Sequence, residues 1–116
     1  MIEDIEKIAI ASSIWRPKSV TEEPETTLTN WAVFSVNIPG EKPTIHFAGY
    51  TGSEGRVCSP VQTYDPETRC GITRSGRIYK LAQGREGLNG DSIYVWSHWV
   101  VINGSPTYTD VTEVYI

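Results

Sequence analysis

The sequence predicts an α+β, mostly β fold: a curved antiparallel meander sheet or open barrel of about five to seven strands, with one short tryptophan-rich helix near the C-terminus. Three observations carry this reading. β-branched and aromatic residues gather in short runs bounded by Gly, Pro and Asp, which is strand rather than helix composition. Two of those runs, TNWAVFSVNI and TIHFAGY, alternate apolar and polar positions with the period of a half-buried strand. A single later segment, Ser92 to Ile102, puts Ile93, Trp96, Trp99 and Val100 on one helical stripe and ends on Asn103-Gly104, a helix stop.

The 116 residues are of a length for one globular domain, 1–116. In chain order, KIAIASSIW (residues 7–15) alternates Ile8, Ile10, Ser12 and Ile14 as a strand would, and the preceding IEDIE is compatible with a helical turn. RPKSVTEEPETT (16–27) has no periodicity and reads as an exposed loop. Next, TNWAVFSVNI places Ala32, Phe34, Val36 and Ile38 on one face, and PGEKP turns the chain into TIHFAGY. Setting Ile38 opposite Ile45 aligns Val36 with Phe47, so the apolar faces coincide.

The middle of the chain repeats this logic. A type I turn at DPET pairs Tyr64 with Arg69, and a tight turn at Ser75-Gly76 pairs Ile72 with Tyr79. Both registers put Val57, Val61, Cys70, Ile72, Tyr79 and Leu81 on one buried face, with Arg69, Thr73, Ile78 and Lys80 outward. Cys58 then faces away from Cys70, so two free thiols are expected, Cys70 in the core and Cys58 nearer the other face. GREGLNGD leads into the helix, with Asp91 as its expected cap, and TYTDVTEVYI alternates as a closing strand.

Charge is unevenly distributed. The net charge is −4, yet residues 56–85 hold six bases against Asp65 and Glu67, a local excess of four positive charges. Residues 86–116 hold four acids and no base. No bilayer-spanning apolar run is present, and the acidic start MIEDIEKIAI lacks the pattern of a secretory signal, so the expected location is cytoplasmic.

Motifs that carry chemistry are missing. Gly84, Gly87 and Gly90 match neither the dinucleotide fingerprint nor a phosphate loop, and no G-x-S-x-G elbow occurs. His46 and His98 are the only histidines and lack the ligand partners of a metal site, so neither a metal nor a cofactor is expected. A small hydrolase would have to assemble His98 with Asp110 and a distant serine. Binding has better support: Arg74 and Arg77 flank the Ser75-Gly76 turn, with Arg69 and Lys80 beside them, and guanidinium groups grip carboxylates and phosphates in bidentate fashion.

TRSGRIYKL followed by YVWSHW resembles a signature of small uncharacterised bacterial and phage proteins carried on mobile elements, T-x-S-G-R-x-Y-x-L and then Y-V-W-x-x-W. The resemblance runs from Thr29-Asn30-Trp31 through HFAGY and GRVCSP to Trp99. It implies a bacterial or phage setting and supplies no catalytic residues.

The expectation is therefore a non-enzymatic interaction or regulatory accessory protein that binds a protein partner through Arg69, Arg74, Arg77 and Lys80. In a phage setting its target would be a host defence component. A nucleic-acid or nucleotide module using the same basic face is the alternative, and a small hydrolase the second. Open sheet edges also allow a symmetric homodimer.

Overall fold

In the computed structural model, which describes residues 17–116, the element on which the others assemble is β1 (Glu25–Asn37). The expected strand at 7–15 lies outside the described residues, as does the turn before it. β1 begins inside the segment read as a loop at 16–27, because Glu25 to Leu28 pair in parallel with Ile78 to Leu81 of β6. No local pattern in the sequence announces a pairing between segments so far apart.

Six further strands complete a mixed, open sheet: β2 (Thr44–Tyr50), β3 (Gly55–Val57), β4 (Val61–Asp65), β5 (Cys70–Thr73), β6 (Ile78–Leu81) and β7 (Thr107–Asp110). Their order is β3-β2-β1-β6-β5-β4, with β7 also on β1. The expected fold class, α+β and mostly β, is the one observed, with one parallel pair in a sheet otherwise antiparallel. No helix among the described residues is long and apolar enough to cross a membrane.

β1 is buried on both faces. Ala32, Phe34 and Val36 lie with Ala48 and Trp96 on the helix side, and Ile38 packs against them as the sequence predicts. Leu28, Trp31 and Val33 enter a second core with Phe47, Cys58, Tyr79 and Leu81. A bulge between Thr29 and Ala32, with Asn30 at φ 47°, lets Leu28 and Trp31 share that side. The β1–β2 register differs from the expected one: Val33 faces Phe47 and Ser35 faces Ile45. With apolar residues on both faces of β1, matching alternation does not select the pairing.

The helix α1 (Gly90–Ile102) forms where its stripe predicts, but Asn89 caps it, not Asp91. The Asn89 side chain accepts from the Ser92 amide while the Ser92 hydroxyl accepts from the Asn89 amide, a reciprocal box that satisfies both ends of the first turn. Ser92 also donates to the Asn30 carbonyl, tying the helix to the kink in β1. Trp96 stacks on Phe34 at 4.0 Å and on Trp99 at 5.2 Å, with Tyr108 of β7 edge-on. Ile93 is half exposed. Only Thr107–Asp110 of the expected closing strand is strand; Thr112–Tyr115 winds into a 3-10 turn.

Both middle hairpins close differently from the sequence reading. Asp65 pairs with Cys70 around a loop of the same length shifted by one residue, in which Arg69 adopts φ 60° and its amide donates to the Asp65 carbonyl. At the second turn the loop is 74–76 and not Ser75-Gly76 alone. The Gly76 amide donates to Thr73, Gly76 takes φ 90°, and Ile72 pairs with Ile78. The added residue reverses the parity of β5. Gly71 and Thr73 now face inward, whereas Ile72 is exposed and Cys70 is only partly buried. Cys58 is the core thiol and both cysteines are free, so the two exchange the expected roles.

Gly71 shows what the register demands. A Cβ there would meet the Phe47 ring at 2.6 and 2.9 Å. Gly71→Ala is expected to destabilise the fold by about 1–3 kcal/mol, through overpacking. Ile72→Ser should stay within about 1 kcal/mol, as an exposed substitution. Denaturant midpoints of both variants check this, and a costlier Ile72 substitution would restore the sequence-derived register.

Candidate binding cleft

A cleft of about 870 Å³ opens where the short β3 ends and the sheet fails to close onto β4. Its apolar walls include Ile38, Ile45, Val57, Val61, Trp99 and Ile102, from the turn after β1 and from β2, β3, β4 and α1. Volume and lining both fall in the range of ligand sites. Gly55 lets the helix come this close, because a Cβ there would lie 2.4 Å from the Asp91 carbonyl oxygen.

Beneath the cleft lies a charged cluster that sequence reasoning missed. Arg56 of β3 is buried and donates to Glu23 at 2.9 Å, to Glu54 at 3.1 Å and to the Tyr79 hydroxyl at 3.2 Å. Arg77, also buried, donates to the same Glu23 oxygen and to the Lys18 carbonyl. Two guanidiniums out of water need this carboxylate, since a buried unpaired charge is costly. Burial alone would raise the Glu23 pKa, but Arg56 and Arg77 outweigh it and hold the carboxyl below its ordinary value. The sequence carried one sign of this cluster: the acidic TEEPE segment matches the basic middle of the chain, and part of that match is spent inside the protein.

The four cations read as one contact surface are therefore separated. Arg77 is interior. Arg69 is half-buried, with its guanidinium carbon 5.6 Å from the centre of the Trp31 ring and its Nε donating to the Leu81 carbonyl. Lys80 is exposed and sits across from Cys70, at the far end of the hairpin from the cleft. Of the four, only Arg74 lines the cleft as an exposed base, beside the exposed Lys42, and neither makes an ion pair among the described residues. Trp31 is fully buried and donates its indole N–H to the Ala82 carbonyl.

The other titratable groups near the cleft are already engaged. His46 is buried, with Nδ1 at 2.9 Å from the Cys58 carbonyl and Nε2 at 2.8 Å from the Thr44 hydroxyl. A carbonyl only accepts, so Nδ1 carries the hydrogen and Nε2 accepts from Thr44. Burial lowers the His46 pKa, the Cys58 carbonyl bond works against that, and Arg74 adds to the lowering. Burial pushes the Cys58 thiol up to about 12, far from a thiolate nucleophile at neutral pH. His98 and Asp110, the pair a hydrolase would need, do not line the cleft; the Asp110 carboxylate accepts from the Thr112 amide and hydroxyl. Among the described residues no three metal-ligating side chains converge.

Two pH effects follow from opposite ends of this site. Both groups bind protons less readily folded than unfolded, so each contributes stability above its unfolded pKa and loses it as pH falls. The His46 contribution declines below its ordinary value of 6.5 and the Glu23 contribution below 4.5. Thermal melts should show two downward steps, and His46→Gln should remove the upper one. Glu23→Gln at pH 7 is expected to cost about 3 kcal/mol, the penalty for breaking a buried ion pair. Scans of the chain against protein-family models, curated proteins and solved structures each returned no match.

Proposed function

We propose that the chain is a non-enzymatic interaction module, an accessory or regulatory protein of bacterial or phage origin, that holds a protein partner in the cleft. The observation that carries this reading is a mainly apolar cleft edged by the exposed bases Arg74 and Lys42, neither of which makes an ion pair among the described residues. The groups that would do chemistry there are committed elsewhere: His46 by two hydrogen bonds, Cys58 by burial, and Arg56 and Arg77 by Glu23. Apolar surface makes up the larger share of the cleft wall, which suits the side chains of a bound partner. Aromatic and arginine side chains are the usual anchors of protein interfaces, and Trp99 and Arg74 are placed for that role. With the phage setting, the partner would be a component of host defence.

The contact set is smaller than the basic hairpin suggests from sequence. Replacing Arg77 would leave Glu23 and Arg56 unbalanced and test folding, not binding. Arg74→Glu is the clean substitution. Affinity capture from the native host with wild type, Arg74→Glu and Lys80→Glu chains should retain one specific partner in the first and third and lose it in the second. Melting curves should be alike for all three, within about 0.5 kcal/mol, as for exposed substitutions. Equal capture by Arg74→Glu would remove the cleft as the binding site. Salt-sensitive retention of a short oligonucleotide would assign it to nucleic acid instead.

A further inference from the structure

The cleft contains a stretch of sheet edge that no described residue pairs. On β2, residues facing β1 with their backbone groups alternate with residues facing away. Phe47 faces away: its carbonyl accepts from the Cys58 amide at 3.0 Å, and its own amide donates to Cys58 Sγ. Val33, opposite Phe47, likewise turns its amide and carbonyl outward, to Thr112 and Val111. Ile45 lies two residues from Phe47, so its N–H and C=O also point away from β1. β3 no longer covers that position, because its pairing with β2 ends at Ala48 opposite Val57. After Cys58 the chain departs through Ser59-Pro60, and among the described residues no backbone hydrogen bond reaches the outward N–H and C=O of Ile45 at the cleft.

We infer that the cleft takes an extended segment of a partner protein, which adds a strand to β2 at Ile45 and places an acidic side chain on Arg74. This rests on the binding reading above and names the ligand class for it. Main-chain bonds at Ile45 supply a donor and an acceptor that no described residue uses. Alternate side chains of such a strand point to opposite sides. One set meets Trp99 and Ile102 on the helix side, and the other meets Val61 and Tyr79 on the inner side. Pro43 and Pro60 flank the open stretch and, lacking amide hydrogens, confine the pairing to a short segment. A helix would present no free backbone groups to Ile45. Strand addition therefore uses a feature of the cleft that a helical ligand would leave unpaired.

The test uses the full chain and peptides of about a dozen residues, selected from a random displayed library, because strand-addition ligands are short extended segments. Enriched peptides should be β-branched or aromatic and carry an acid. The Ile45 amide should exchange freely in the unliganded chain and slow at least ~10-fold in the complex, as a newly formed backbone bond requires. N-methylation of one peptide amide at the contact should abolish binding, and methylation of its neighbour should not. Fast Ile45 exchange in a complex still lost on Arg74→Glu would overturn strand addition and leave cleft binding standing. Loss of neither would remove both. Protection of Ile45 already in the free chain would also overturn the proposal, since the edge would then be occupied by this chain or by a second copy.

Discussion

The loop at residues 74–76 decides which side chains of the β5–β6 hairpin enter the protein. Gly76 in the left-handed region closes the turn one residue longer than the tightest hairpin, so Thr73 sits opposite Arg77. On that parity Gly71 and Thr73 join Arg77, Tyr79 and Leu81 inside, and Ile72 lies outside with Lys80. A buried arginine at that point must be neutralised, and Glu23 does this from the segment before β1. The same carboxylate serves Arg56 on β3, so a single residue links the strap, the short edge strand and the hairpin. The wall of the cleft depends on that linkage.

Arg74 and Arg77 are three residues apart, of one type, and hold unrelated positions. Arg77 exchanges hydration for Glu23 and the Lys18 carbonyl, which makes it part of the folded framework. Arg74 keeps its charge available at the mouth of an apolar cavity. A guanidinium there steers and orients an anionic group, while the apolar walls provide the larger share of binding energy. The division also explains how a chain with a local positive excess has so little continuous basic surface.

Much of the architecture was legible in the sequence. The β-rich class, the helix over 90–102, the hairpin positions and the apolar face Ala32-Phe34-Val36-Ile38 all follow from spacing and turn residues. Registers were not legible, for two physical reasons. β1 is apolar on both faces, so several pairings of β2 satisfy the alternation. In the first middle hairpin a loop of the same length fits one residue further along, and in the second one added residue inverts β5 relative to β6. Of the site, Arg74 was found; Arg69, Arg77 and Lys80 were assigned to a surface that the true parity divides. Arg56 and Glu23 gave no local signal, because their contact joins segments that only the parallel pairing of β1 with β6 brings together.

Register is thus the quantity on which both the charged cluster and the cleft rest. In an antiparallel pair, residues opposite each other without mutual hydrogen bonds bring their Hα atoms into close contact, which makes pairing directly readable. A nuclear Overhauser spectrum of the chain should show Hα–Hα cross-peaks between Ile72 and Ile78 and between Cys70 and Lys80. Cross-peaks joining Ile72 to Tyr79 and Cys70 to Leu81 would contradict it, turning Ile72 inward and carrying Gly71 away from the Phe47 ring.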